Sequence, residues 1–427
     1  MAETSPRPRG RFLLATTDVG GTLPPALGLA AELVRRGHSV LVLSDPLSEE
    51  AVRTAGCDFR PWQLAQHIDT IDQQTALMVE MEKGNGLQQL RAARDLFIVG
   101  PAAGFAAEVV ATVREHPVDV VLSDGVPGML IGAQATGRPT AALMANIYLR
   151  PTPGMPLMAL GWLPPRGPLG RARDAVIRRA TGLVLDRFTR GLNPALAANG
   201  RPPVRGVFEL FDRCTEVLVL TSPSFDFSSP HIPANVHFVG PQLDDPAWAG
   251  DAGDWRPPGD APLVLVATSS TFQDQLDLLR RVATALGELP VRGLITAGRA
   301  VDPADVAAPA NVRVVRAAPH RAVLPEAAAV VTHAGHGSVL KALAAGVPLV
   351  CMPMGRDQKD NTVRVLRLGA GVRVDEKAPP ERIAAAVRQV LDEPGYADAA
   401  RRFAETLATE AKTRPSAADR AEGLLIG

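Results

Sequence analysis

Short β-branched runs alternate with longer alanine- and leucine-rich stretches along most of the chain, and this alternation restricts the fold more than any other feature. FLLATT is followed by LGLAAELVRRG and then SVLVLSD; VDVVLSD is followed by GMLIGAQATG and TAALMA. Strands separated by helix-length segments cannot pair as tight hairpins, so they pair in parallel with helices packed on the sheet faces. The alternation lapses around residues 240–260, GPQLDDPAWAGDAGDWRPPGD, where proline, glycine and aspartate crowd together as in linkers. It resumes in PLVLVATSS, LDLLRRVATALGEL, VRGLITAG, NVRVVRA, AAAVVTH, VLKALAAG and PLVCMPM. With 427 residues available, the expectation is an α/β chain of two doubly wound, Rossmann-like domains facing across a cleft. The domains are placed at residues 1–240 and 261–410, with 241–260 as the linker.

Composition narrows the partners. Acidic and basic residues number 45 each, with no long run of one sign, so neither nucleic acid nor a membrane is expected. Cys57, Cys214 and Cys351 lie far apart without metal or redox spacing and read as packing residues of a reducing, cytoplasmic protein. The first ten residues, MAETSPRPRG, lack the apolar centre of a signal peptide, and no stretch offers about 18 uninterrupted apolar residues. No Asp-x-Asp stands at a strand tip and the eight histidines lack metal-ligand spacing, so no metal or cofactor is expected. His38 and His320 read as turn residues.

In open parallel sheets, ligands sit beyond the carboxyl ends of the strands. Three such tips carry chemistry: Asp18 after FLLATT, Asp124 after VDVVLS, and THAGHGS after AAAVV. In the last, Gly335 and Gly337 turn the chain into a helix whose free N–H groups and dipole favour an anion, with Ser338 and His333 as further donors. A plain strand-to-helix turn with an N-capping serine is the alternative. The next tip, GVPLVCMPMGRDQKDN, presents Asp357, Gln358 and Asn361, groups suited to vicinal hydroxyls.

Residues 329–373 resemble the donor-binding signature of family-1 glycosyltransferases of the GT-B fold, in the order His-x-Gly-x-Gly-Ser, Gly-Val-Pro and Asp-Gln-x-x-Asn. RRGHSVLVLSD, DPAW and APHRAVLP extend the resemblance over nearly the whole chain, and the bacterial natural-product enzymes look most similar. The resemblance implies that His333 and Ser338 hold a diphosphate, that Asp357 and Gln358 hold the sugar, and that Ser269, Ser270 and Thr271 approach the phosphates from the other side. It also implies that residues 411–427 form a helix returning to the first domain.

Two positions depart from that pattern. Lys341 stands where the family usually has a glutamate that accepts from the ribose diol, and an ammonium cannot accept; this points to a dTDP-linked donor or to a ribose held by other groups, and a merely solvated lysine is the other reading. Aligned on Pro25, the family's basic histidine corresponds to Thr22, which has no useful pKa near neutrality. Asp124 matches the family's histidine-orienting aspartate. With Asp18 expected at the adjoining strand tip, one of the two acids is expected to serve as base, and Gly20 and Gly21 to let the backbone approach a ligand; capping roles for both acids are the alternative.

Met78, Met81, Tyr148, Met155, Met158 and Trp162 suggest an adaptable apolar pocket for an acceptor, with Thr22 beside it; plain core packing is the other reading of these residues. The sum is an inverting transfer of a sugar from a nucleotide sugar, dTDP- or UDP-linked, to a hydrophobic small-molecule acceptor, by a chain that could form a homodimer. A sugar-nucleotide epimerase or hydrolase, or a non-catalytic nucleotide-sugar-binding helper, are the rivals.

Overall fold

The computed structural model describes residues 9–19, 21–250 and 255–426; Gly20 and part of the expected linker lie outside them. Two all-parallel sheets are present. The first is ordered β3-β2-β1-β4-β5-β6-β7, from β1 (Arg11–Ala15), β2 (Ser39–Ser44), β3 (Asp58–Pro61), β4 (Val120–Asp124), β5 (Thr140–Met144), β6 (Glu216–Val219) and β7 (Val236–Phe238). The second is ordered β10-β9-β8-β11-β12-β13, from β8 (Leu263–Ala267), β9 (Arg292–Thr296), β10 (Val312–Val315), β11 (Ala327–Thr332), β12 (Leu349–Cys351) and β13 (Gly371–Arg373). Each sheet reverses its strand order once, between β1 and β4 and between β8 and β11, which opens a crevice at those two places.

Strand periodicity sorts the core. Phe12 and Leu14 pack on one face with Leu23, Ala26 and Ala30 of the helix Leu23–Arg35, while Leu13 and Ala15 pack on the other with Phe105, Val109 and Met129. Because the central strands β1, β4, β5 and β8 are covered on both faces, their runs are nearly continuously apolar rather than alternating, whereas the edge strands β3, β7 and β13 are part-exposed and mixed. The three cysteines are buried and unpaired, and burial pushes each thiol up to about 12. One helical run, Gln88–Glu115, is long and apolar enough to cross a membrane by length and composition. Its second half, Ala102–Glu115, buries Phe105, Ala106 and Val109 in the core of the first domain instead.

The chain crosses between domains more than once. Phe225, which follows β6, packs in the core of the second sheet, and the carboxylate of neighbouring Asp226 pairs with Arg364 at complete burial. The helix Pro394–Thr413 packs on the second domain, and after Arg414 the short helix Ala417–Gly423 lays Ala417, Ala418 and Ala421 into the core of the first. Ser416 and Asp419 cap it reciprocally. Glu422 on this helix bonds Nε2 of His38 at 3.0 Å and a guanidinium nitrogen of Arg36 at 3.1 Å. The ring of His38 also accepts from the Gly10 N–H at 3.0 Å, so His38 is a structural residue.

Candidate active site

The two switch points face one another across a cavity. Its second-domain wall includes Ser269, Ser270, Thr271, His333, Gly335, Gly337, Ser338, Lys341, Asp357 and Gln358, and its first-domain wall includes Gly21, Pro24 and Pro25. Registry orders the tips: Ala267 of β8 pairs with Thr332 of β11, which brings Ser269 and His333 to the same cavity wall, and Ala15 of β1 pairs with Ser123 of β4, which sets Asp124 beside Thr16 and Thr17, whereas Asp18 lies farther along its loop beside Asp45 and Arg299.

The donor-side helix starts at His336, with Gly335 as its N-cap and no side chain bonded to its first N–H groups. An uncapped helix start on a cavity wall is suited to phosphate oxygens. Gly335 is dictated by its neighbour, since a Cβ there would lie 2.5 Å from Nε2 of His333, whereas a Cβ on Gly337 would meet nothing within 4 Å. Ala334, between His333 and Gly335, holds φ at 68°, and Arg356 on the adjoining tip holds 55°. Non-glycine residues in this left-handed region store strain of about 1–3 kcal/mol, which surrounding contacts must offset. The opposing helix, Leu23–Arg35, begins Thr22-Leu23-Pro24-Pro25, and two prolines remove the N–H groups that an anion would need. The chemistry of the two walls is therefore different: one offers free N–H groups suited to an anion, and the other has lost them to proline.

His333 is buried, and burial depresses its pKa to about 4, so the ring is neutral at pH 7. Asn361 does not line the cavity; its Nδ2 donates to the Ala334 carbonyl at 3.0 Å and to Asp357 Oδ2 at 2.8 Å, joining the two tips. The amide of Gln358 is also engaged: its oxygen accepts from the N–H groups of Met354 and Gly355, and its nitrogen donates to Gln273 at 2.8 Å. Gln358 thus shapes the loop before it, which leaves Asp357 as the half-buried carboxylate beside the cavity. Lys341 is not a freely solvated lysine. Its ammonium donates to Asp245 Oδ1 at 2.7 Å, and both partners line the cavity.

On the acceptor side, Asp124 is buried at the end of β4. The Thr16 hydroxyl donates to its Oδ2 at 2.5 Å and the Thr17 N–H at 3.4 Å. Burial raises its pKa to about 6, against the opposing pull of Thr16, the Thr17 amide and Thr22. The Thr22 hydroxyl itself lies 3.0 Å from the Val19 carbonyl and 3.2 Å from that of Thr17. Asp18 is differently engaged: its Oδ2 accepts from Arg299 of the second domain at 3.2 Å. Burial raises the Asp18 pKa, and the guanidinium works against that rise. Its backbone is clamped as well, the N–H by Asp45 at 2.7 Å and the carbonyl by Gln74.

The expected acceptor residues do not gather in one place. Tyr148 and Met155 are buried in the core beside β5 and β6, so packing accounts for both and neither lines the cavity. Trp162 lies outside the cavity too, under the guanidinium of Arg173 at 4.1 Å. Met78 is buried on the helix Ile71–Glu82, which also carries the half-buried Met81, and this helix meets the second domain through Arg356. Arg356 donates to Glu82 at 2.8 Å, to Thr271 Oγ1 at 3.2 Å and to the Met78 sulfur at 3.6 Å.

Sequence reasoning overlooked Arg356, Arg299 and Asp245, and took His320 for a turn residue, although it lines the cavity beside Lys341 with its pKa depressed to about 4 by burial. The signal for Arg356 was its place immediately before Asp357.

A chain 32% identical to this one, spanning 97% of it and 99% of the relative, is 4'-demethylrebeccamycin synthase of Lentzea aerocolonigenes. This protein is a family-1 glycosyltransferase. It is an NDP-sugar-dependent enzyme of the GT-B fold, similar to bacterial natural-product glycosyltransferases. Residues 281–424 match the family described as erythromycin biosynthesis protein CIII-like, C-terminal domain. The solved glycotransferase of kitacinnamycin superposes with a TM-score of 0.73 at 25% identity, covering 98% of each chain. The glycosyltransferase VinC, solved with dTDP, has the same fold at 21% identity, with a TM-score of 0.64 over 97% of this chain and 98% of its own.

Proposed function

We propose that this glycosyltransferase moves a sugar from a dTDP-linked donor to an aromatic natural-product acceptor with inversion at the anomeric carbon, using Asp124 as the base. The observation that carries this reading is the buried Asp124 carboxylate at the tip of β4, held by the Thr16 hydroxyl and the Thr17 N–H, with its pKa raised to about 6; it stands at the first sheet's switch point, although it is not itself among the residues that line the cavity. A base near pKa 6 is better matched to neutral pH than an ordinary carboxylate near 4. It still suits an acidic acceptor group, such as a phenol, more than an aliphatic alcohol. The acceptor proton passes to Asp124 beside Thr22, the acceptor atom bonds the anomeric carbon, and the bond from that carbon to the diphosphate oxygen breaks. The electron pair stays on the diphosphate, where the helix start at Gly335, His333 and Ser338 stabilise it. The engagement of the Asp18 carboxylate by Arg299 supports assigning the base to Asp124 alone.

The names of the relatives, a demethylrebeccamycin synthase and a kitacinnamycin glycotransferase, support a natural-product acceptor. The Lys341–Asp245 pair supports dTDP, because the lysine offers a ribose diol no acceptor and engages the neighbouring Asp245 carboxylate that could supply one, and dTDP bound to VinC is in keeping with it. The test is incubation with dTDP- and UDP-sugars and a panel of phenolic acceptors, read by mass spectrometry and by the anomeric configuration of the product. A gain of one inverted sugar supports the reading; free sugar or an epimerised nucleotide sugar without any acceptor product would replace it with the hydrolase or epimerase alternative.

A further inference from the structure

The balanced totals of charge conceal a local asymmetry. Residues 166–190 carry seven arginines and two aspartates, a net +5 in a chain of net zero. The same region carries exposed apolar surface: of the twelve large apolar residues exposed among the described residues, seven lie between Met158 and Val184. On the helix Gly167–Thr189, Leu169, Val176 and Leu183 are 86%, 69% and 60% exposed. Their spacing of seven residues drifts by only ~20° per step, so they form one stripe along the helix. Asp174, on the opposite side, is fully buried, which fixes the stripe outward. Arg187 falls on the same line and Arg179 beside it, both exposed.

The loop before the helix continues the surface. Met158, Leu160 and Leu163 are exposed, and Trp162 packs under Arg173 of the helix, which joins loop and helix into one patch. The N–H groups of Ala159 and Gly161 donate to Asp360 of the second domain at 2.5 and 2.9 Å. The patch is thereby held next to the helix Gln358–Leu368, whose first residue lines the cavity.

We propose that this face docks on an anionic phospholipid bilayer. A helix with an outward apolar stripe and a surplus of arginine matches the two components of such a surface, acyl boundary and acidic headgroups. A second copy of the chain is a poorer occupant, since it would bring two +5 surfaces together. Docking here would set the cleft beside the bilayer.

The test is flotation of the full chain with vesicles of phosphatidylcholine alone and with one third phosphatidylglycerol. The chain floats with the anionic vesicles only, and raising salt to about 0.5 M weakens binding, because exposed charges are then screened. Leu169→Ser/Val176→Ser/Leu183→Ser and Arg179→Glu/Arg187→Glu each reduce the bound fraction by ~10-fold or more, while nucleoside diphosphate binding in solution is unchanged. The proposal is overturned if the chain floats with neither vesicle, or if both variants float like the parent. It is equally overturned if the chain binds no vesicle but forms a dimer that the triple serine variant splits, or if it binds an acidic protein through this face and no vesicle.

Discussion

Asp18, just beyond β1 in the first domain, and Arg299, just beyond β9 in the second, form an ion pair of 3.2 Å across the cleft, with Arg299 also stacked over Trp248 at 4.9 Å from its ring centre. Both side chains are largely buried, so the pair is screened far less than a surface contact. It ties the acceptor-side loop to the donor-side domain, and it removes from Asp18 the freedom that a base requires.

Asp18→Asn and Arg299→Ala should therefore act as one unit. Each is expected to reduce turnover by less than about tenfold, and a double-mutant cycle should give a coupling of ~0.5–3 kcal/mol. Asp124→Asn should lower kcat by ~10²–10⁴-fold with nucleoside diphosphate affinity unchanged. Equal losses for Asp18→Asn and Asp124→Asn would return Asp18 to consideration as the base.

The raised pKa of Asp124 has two pH consequences. Turnover should fall as pH drops through about 6, where the carboxylate becomes protonated. Because the folded pKa lies above the unfolded one, folding favours the protonated acid, so this group's contribution to stability declines between pH 4 and 6 and costs ~3 kcal/mol above that window. Asp124→Asn should accordingly melt higher than the parent at pH 8 and converge with it near pH 4. A variant less stable than the parent at pH 8 would contradict the sign.

His333→Ala should weaken nucleoside diphosphate binding by ~1.5–3 kcal/mol, the scale of a hydrogen bond to a charged group. Calorimetry on the folded variant reads this directly. Unchanged affinity would leave the helix start as the sole diphosphate site.

Lys341 and Asp245 can be exchanged to test the nucleoside preference. Lys341→Glu alone would put two carboxylates where the present pair is 2.7 Å apart, raising the pKa of one of them. Lys341→Glu combined with Asp245→Lys keeps the pair and presents a carboxylate from the donor helix, which should shift preference from dTDP- toward UDP-linked sugars. Competition assays in which the parent already favours UDP donors would refute the ribose argument.

Glu422→Ala should destabilise the first domain. The carboxylate is buried between His38 and Arg36; removing it takes the partner from Nε2 of His38 while Arg36 keeps Glu32 and Asp419, at a cost of ~1–3 kcal/mol. Thermal melting measures the loss, and a shift below one degree would show the C-terminal helix to be held by its alanines alone.

How much of this was written in the chain differs between the two halves of the site. The alternation of strands and helices carried both parallel sheets, since a covered parallel strand must be apolar on both faces and its crossover must be long. The motif from His333 to Asn361 was legible because a strand tip, its glycines and the following helix are contiguous, and local geometry dictates them: Gly335 is the residue that leaves room for the His333 ring. The cross-cleft pair Asp18–Arg299, the Lys341–Asp245 pair between the second domain and the linker, and the Arg356 contact with Glu82 join residues separated by 281, 96 and 274 positions. No spacing rule reaches that far. The acceptor side failed for a related reason, because methionine and aromatic residues look alike in sequence whether they line a cavity or fill a core, and Tyr148 and Met155 fill a core. Sequence periodicity by itself determined the central strands of both sheets and the tips that carry Asp18, Asp124 and His333, since those depend on neighbours along the chain; the edge strands β3, β7 and β13 and the helix Gly167–Thr189 were not legible in it. Only the tertiary structure decided that Asp18 is paired with Arg299 while Asp124 is buried with no cationic partner among the described residues, because desolvation and charge pairing depend on what the folded domains bring together.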